Sequence, residues 1–175
     1  IGMMGFAINV LMIVIIDYGM GNLRSVQKGF EKMGYAAEVT RDAKRIEAAP
    51  GVVLPGVGAF AACMNGLAEC DLTDTVYRVV AHGTPLLGIC VGIQILFTES
   101  VEFGHVRGLD ILKGQVVRFD PTQLDGGKIP HMGWNELTLR HPPHSLFNGL
   151  SNGDEVYFVH SYHARATNPS QVLAV

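Results

Sequence analysis

Two hydrophobic rhythms alternate along this chain. Short apolar runs closed by turn residues, the mark of buried strands, cover residues 12–16, 36–40, 51–54 and 85–89. Between them lie stretches of helical period. Leu23, Val26, Phe30 and Met33 fall on one face of a helix that Asn22 caps and Gly34 stops. Residues 41–49 read as a polar helical segment, residues 61–82 as helix broken near Asp71, and residues 91–97 as an apolar helix. Beyond Ser100 the rhythm becomes that of strands, expected at 114–119, 135–139 and 155–160, with Asp125-Gly126-Gly127 as a turn. Strand alternating with helix predicts an α/β fold: a mostly parallel central sheet with helices on both faces, the 84–89 strand central, and a smaller set of added strands in the C-terminal half.

Composition narrows this picture. At 175 residues and 48% hydrophobic, the chain suits a single domain over residues 12–175 with a sizeable core. Residues 1–11 read as an N-terminal extension, and an initial Ile is not a natural start. The apolar stretch at 1–16 lacks the charged head and cleavage site of a signal peptide, and Asp17 interrupts it before the roughly 20 apolar residues of a spanning helix. Three cysteines without a CxxC pair point to a reducing, cytoplasmic setting, not to a disulfide framework or zinc ribbon. A net charge of -3 with no basic run argues against a nucleic-acid surface.

The candidate chemistry centres on Cys90. Gly88-Ile89-Cys90-Val91-Gly92 sits where the 85–89 strand gives way to helix, the cysteine form of a nucleophile elbow. There the backbone aims the thiol, a helix N-terminus favours the thiolate, and the Val91 N–H faces a developing oxyanion. The alternative is a buried core cysteine. Pro55-Gly56-Val57-Gly58, at the end of a neighbouring strand, either supplies a second oxyanion donor or is an ordinary strand-to-helix turn. Gly19-Met20-Gly21 resembles a dinucleotide loop, but Arg24 replaces the third glycine and no GK[ST] follows, so a tight turn competes with cofactor binding. A cysteine hydrolase needs an imidazole base, drawn from His82, His105, His131, His141, His144, His160 and His163, none of them marked by sequence. His160 and His163 have a spacing that suggests a metal pair, yet on one strand they would face opposite sides.

Gly-Ile-Cys-Val-Gly-Ile-Gln at 88–94 with Pro-Gly-Val-Gly upstream resembles the class I (triad) glutamine amidotransferases. Ile-Ile-Asp-Tyr-Gly-Met-Gly-Asn at 15–22, Pro-Gly-Val-Gly-Ala-Phe at 55–60, Pro-His-Met-Gly-Trp-Asn at 130–135 and Tyr-Phe-Val-His-Ser-Tyr at 157–162 narrow the resemblance to glutaminase subunits of imidazole glycerol phosphate synthase, of histidine biosynthesis. That resemblance implies a heterodimeric lyase and hydrolase system in which Cys90 attacks glutamine, forms a thioester and releases ammonia. Val57, Gly58 and Val91 would form the oxyanion hole. Gly56, Gln94, Glu102, Ser161 and Tyr162 would bind the substrate. Asn22, Met132 and Trp134 would face the partner, a (β/α)8-barrel cyclase, and no cofactor, metal, nucleic acid or membrane is implied. Position 91, often Leu in the family, is Val. The family's base and orienting carboxylate come from a late Phe-His-Pro-Glu motif that this sequence lacks, so the domain is expected to be C-terminally incomplete and inefficient in turnover. Two other readings stand beside this one: an α/β-hydrolase type cysteine hydrolase, and a non-catalytic interaction subunit.

Overall fold

The computed structural model describes residues 12–123, 127–140 and 144–175. The extension at 1–11, the Asp125-Gly126 part of the expected turn, and His141 lie outside them. The chain divides into two compact units, one ending at Ile93 and the other beginning at Gln94.

The first unit is built on four parallel strands: β1 Ile13–Ile16, β2 Ala37–Thr40, β3 Gly51–Gly56 and β4 Leu86–Cys90, in the order β2-β1-β3-β4. Four helices connect them: α1 Leu23–Lys32, α2 Ala43–Glu47, α3 Phe60–Glu69 and α4 Thr73–Ala81. From β1 the chain steps to one side to reach β2. It then reverses, passes β1 to reach β3, and continues to β4. With right-handed crossovers this reversal puts α1 on one face of the sheet and α2, α3 and α4 on the other. Contacts of α1 with β1 and β2, and of α2 with β1 and α4, agree with that layering. Such a reversal also opens a crevice at the carboxyl ends of the strands on either side of it, here β1 and β3.

The strands are buried where both faces are covered, and Val52, Val53 and Leu54 are almost wholly inaccessible. Helix α1 begins as expected, its first turn capped by Asn22 Oδ1 accepting from Ser25 N–H at 3.3 Å, and Gly34 follows its end at φ +86°. Met33, expected on the apolar face, is instead 74% exposed, because α1 stops at Lys32. The break between α3 and α4 falls at Asp71, in the left-handed region at φ +55°. One expectation fails outright: among the described residues β4 is an edge strand of its sheet, only partly buried, not central.

The second unit holds a mixed sheet of β5 Phe97–Ser100, β6 Val106–Arg107, β7 Leu112–Arg118 and β10 Tyr162–Ala166, in the order β10-β7-β5-β6. A separate antiparallel pair joins β8 His131–Glu136 to β9 Glu155–His160. The helix expected at 91–97 shrinks to one turn, α5 Val91–Gln94, after which Phe97 enters a strand. The strand expected at 135–139 lies earlier, as β8. The terminal run at 172–175 pairs with residues 138–140, where Thr138 N–H donates to the Val175 carbonyl at 2.7 Å and Arg140 N–H to the Leu173 carbonyl at 2.8 Å.

Candidate active site

Cys90 lies at the strand–helix boundary, the last residue of β4 before α5, with φ at +56°. An L-residue in this region carries about 1–2 kcal/mol of strain, which the surrounding backbone must hold in place. Three glycines show how. A Cβ on Gly92 would stand 1.9 Å from the Leu54 carbonyl oxygen, one on Gly88 would stand 2.5 Å from the Ile93 Cα, and one on Gly56 would stand 2.4 Å from the Gly92 N. Backbone therefore rests directly on backbone, and α5 turns over the end of β4 with no side chain between. The side chain of Cys90 is exposed and that of Val91 buried, so the core-cysteine alternative does not describe this residue. With only four residues, α5 contributes little axial dipole, which leaves the local N–H groups as the electrostatic feature of the turn.

The parallel register pairs Gly56 with Cys90. Strands so paired lie about 4.8 Å apart. Val57 and Gly58 are the next residues along, Val57 45% exposed and Gly58 at φ +81°. The unit thus brings Gly56 beside Cys90 and Val91, with Val57 and Gly58 following Gly56 in the chain. The loop's other side is anchored. Tyr18 OH donates to the Pro55 carbonyl, and Cys63 Sγ–H donates to the Val57 carbonyl at 3.5 Å. Burial, followed by the neighbouring Cys63 thiol, pushes the Tyr18 hydroxyl far above the ordinary phenol range. Neither anchor was expected from the sequence. Tyr18 lies in the Asp-Tyr-Gly stretch already singled out, but nothing in its spacing points to Pro55.

Among the described residues of the first unit the sole histidine is His82, which caps the C-terminus of α4. It precedes β4, whereas Cys90 ends that strand, about 13 Å further along at the usual rise per residue. His82 is thus not placed to serve Cys90 as a base.

In the second unit, Gln94 Nε2 donates to the Tyr162 carbonyl at 3.3 Å, and Ser161 accepts through its carbonyl from Phe119 N–H at 3.1 Å. Glu102 follows β5, its N–H donating to Ser100 Oγ at 3.1 Å. His160 and His163 do not lie on one strand, because a bend at Ser161 separates β9 from β10. Both rings instead meet Phe119: His163 stacks on it at 4.5 Å and His160 meets it edge-on at 4.8 Å. Burial lowers the pKa of both, assisted at His160 by His131 and at His163 by Arg165. Among the described residues no group of three metal-ligating side chains forms. Likewise no helix there is long and apolar enough to cross a membrane.

Trp134 occupies a strand, not the loop expected for it, and is 65% exposed. The β8–β9 register sets it opposite Tyr157 and sets Met132 opposite Val159, giving one apolar, exposed face of four side chains. The Trp134 and Tyr157 rings meet edge to face at 5.5 Å. Sequence reasoning missed Tyr157 and Val159, since Val-Tyr-Phe-Val carries no polar residue to mark its outward side.

The family model described as glutamine amidotransferase class-I matches residues 14–175. An imidazole glycerol phosphate synthase subunit HisH from Syntrophotalea carbinolica is 54% identical, over 93% of this chain and 80% of its own length. One from Geobacter metallireducens is 51% identical, over 93% and 78%. Among solved structures, one described as a glutamine amidotransferase superposes with a TM-score of 0.70 at 21% identity, over 92% of this chain and 78% of its own. The glutaminase domain of Trypanosoma brucei CTPS with bound acivicin gives 0.59 at 14% identity, over 88% and 68%. At such identities the structural likeness speaks for the fold.

Proposed function

Because the chain belongs to the class-I glutamine amidotransferases, we propose that it is the glutaminase subunit of an imidazole glycerol phosphate synthase, acting through a Cys90 thioester. The observation that carries this reading is Cys90 itself: an exposed thiol at φ +56°, on a turn that glycine-to-glycine packing holds against the paired strand. Cys90 Sγ attacks the carboxamide carbon of glutamine. The oxygen of the tetrahedral intermediate is met by N–H groups of Val91 and of the Val57–Gly58 stretch. The C–N bond then breaks, a general acid protonates the leaving nitrogen, and ammonia departs. Water, activated by the same group now acting as base, cleaves the thioester to glutamate and frees the thiol.

Recognition of glutamine falls to Gly56, Gln94, Glu102, Ser161 and Tyr162, with Glu102 on the α-amino group and Ser161 and Tyr162 on the α-carboxylate. The ammonia passes to a (β/α)8-barrel cyclase subunit, and the pair works as a cytoplasmic heterodimer whose overall reaction is that of a lyase. Asn22, Met132 and Trp134 contribute to the face that meets it, and the exposure of the β8–β9 side chains supports this assignment for Met132 and Trp134.

The test compares the 175 residues with a version extended by a segment bearing His and Glu, each mixed with the cyclase. Iodoacetamide is expected to label Cys90 ahead of Cys63 and Cys70 in both, because Cys90 is the exposed thiol. Glutamine hydrolysis is expected to be faster in the extended version by about 10²–10⁴-fold, the usual contribution of general acid–base catalysis. Preferential labelling of Cys63 or Cys70, or extended protein inert toward glutamine, would refute the assignment of Cys90.

A further inference from the structure

The peptide groups of the Pro55–Gly58 loop are not equally held. Pro55 presents its carbonyl to the Tyr18 hydroxyl, and Val57 presents its carbonyl to the Cys63 thiol. Tyr18 is 2% exposed and Cys63 wholly buried, so both donors come from the protein interior and water does not compete for them. In a trans peptide plane the C=O and the following N–H point in opposite directions. Holding the Pro55 carbonyl therefore aims the Gly56 N–H away from Tyr18, and holding the Val57 carbonyl aims the Gly58 N–H away from α3.

Between these two anchored planes lies a single peptide, Gly56–Val57, which carries the Val57 N–H. It is flanked by ψ of Gly56 and φ of Val57, and the peptide on each side of it is held. Gly56 is also the residue paired with Cys90, and it has no Cβ to meet the Gly92 N. The two hydrogen bonds thus hold the carbonyls on either side of the amide next to the nucleophile.

We propose that Tyr18 and Cys63 are positioning residues that clamp the peptides on either side of Gly56–Val57 and so direct the oxyanion-binding N–H groups beside Cys90. The inference rests on the glutaminase reading given above and adds to it two residues that touch neither substrate nor thiol. The clamp is persistent at neutral pH, because a buried phenol pushed far above its ordinary range remains a donor. Its two ends differ in strength: a thiol is a weak donor, so a hydroxyl at position 63 can replace it.

The experiment uses the version extended by the segment bearing His and Glu, assembled with the cyclase, and measures kcat and KM for glutamine, the rate of Cys90 alkylation by iodoacetamide, and the melting temperature. Tyr18→Phe and Cys63→Ala are each expected to lower kcat about 10-fold, less than the roughly 10²–10³-fold loss on deleting an oxyanion donor outright. KM and the alkylation rate should stay within about twofold, and Cys63→Ser should keep kcat within about threefold of the unmodified enzyme. Should Tyr18→Phe fail to fold, the Cys63→Ala and Cys63→Ser pair carries the same comparison. Unmodified kcat in both Tyr18→Phe and Cys63→Ala, or a loss in Cys63→Ala that serine does not restore, overturns the clamp while leaving the glutaminase reading intact. Absence of glutamine hydrolysis by the unmodified assembly overturns both.

Discussion

Replacing Gly92 by Ala tests the packing on which the site depends. The new Cβ would stand 1.9 Å from the Leu54 carbonyl oxygen, 2.9 Å from the Leu54 carbonyl carbon and 3.0 Å from the Pro55 carbonyl carbon. All three are backbone atoms, so no side chain can swing aside, and reaching an ordinary 3.4 Å contact requires a separation of about 1.5 Å. That movement pulls α5 from β3 at the point where Leu54 pairs with Gly88 and Gly56 with Cys90. Overpacking of this kind costs about 1–3 kcal/mol. For a chain of this size each kcal/mol lowers the melting temperature by roughly 2–4 °C, so a drop of roughly 2–12 °C is expected. Turnover should fall further, about 100-fold, because a displacement near 1 Å moves the nucleophile out of line with its N–H donors. Gly29→Ala is the matched control: it lies inside α1 with nothing within 4 Å of its Cβ and should gain about 0.5–1 kcal/mol from helix propensity. Thermal melts and a glutamate-release assay on the two variants, both made in the version extended by the segment bearing His and Glu and mixed with the cyclase, decide the matter. A Gly92→Ala protein that melts with the unmodified one and turns over within threefold of it would refute the reasoning.

Three further outcomes follow from the same geometry. Cys90→Gly should abolish labelling and hydrolysis yet raise the melting temperature by a few degrees, because glycine relieves about 1 kcal/mol of left-handed strain at an exposed position; a lower melting temperature would contradict this. Trp134→Ala should weaken cyclase binding about 10-fold or more by titration while the isolated chain melts within a few degrees of the original, and unfolding of that chain would return Trp134 to the core. His160 and His163 bind protons less readily in the folded protein than in the unfolded chain, so their contribution is full above their ordinary pKa near 6.5 and is lost as the pH falls below it toward the folded values. Urea melts at pH 8 and pH 5.5 should show this acid loss, and replacing both histidines by Asn should flatten it.

Much of the site was legible because it is made of steric necessity. Gly88, Gly92 and Gly56 are required wherever a helix turns directly over a paired strand, and that requirement is written in residue identity. The first unit followed for a related reason: its apolar runs are short, closed by turn residues and separated by amphipathic helices. The failures occurred where periodicity is silent. From Val91 to Phe97 every position but Gly92 and Gln94 is apolar, and such a run suits a buried strand as well as a helix; only the pairing of Phe97 with Leu112 decides it. Tyr162–Ala166 mixes polar and small residues and gave no strand signal until Val117 and Arg118 were there to pair with it. The Tyr18 and Cys63 anchors were invisible because both act on backbone carbonyls, which any residue carries, Tyr18 on one 37 positions away and Cys63 on one six positions away. Such partners leave no mark on the residues that accept the bond.

The placement of β4 at the sheet's border carries a liability for the protein as a material. Strand borders present unpaired N–H and C=O groups that invite a foreign strand, and proteins usually blunt them with charge. The opposite border is treated in that way: β2 carries Glu38, bound by Arg45 at 2.6 Å. Leu86-Leu87-Gly88-Ile89-Cys90 has no charged residue at all, and Leu87 is 38% exposed. The segment that aims the thiol is thus also the adhesive one. Two molecules joined along it would each engage the strand that ends in Cys90.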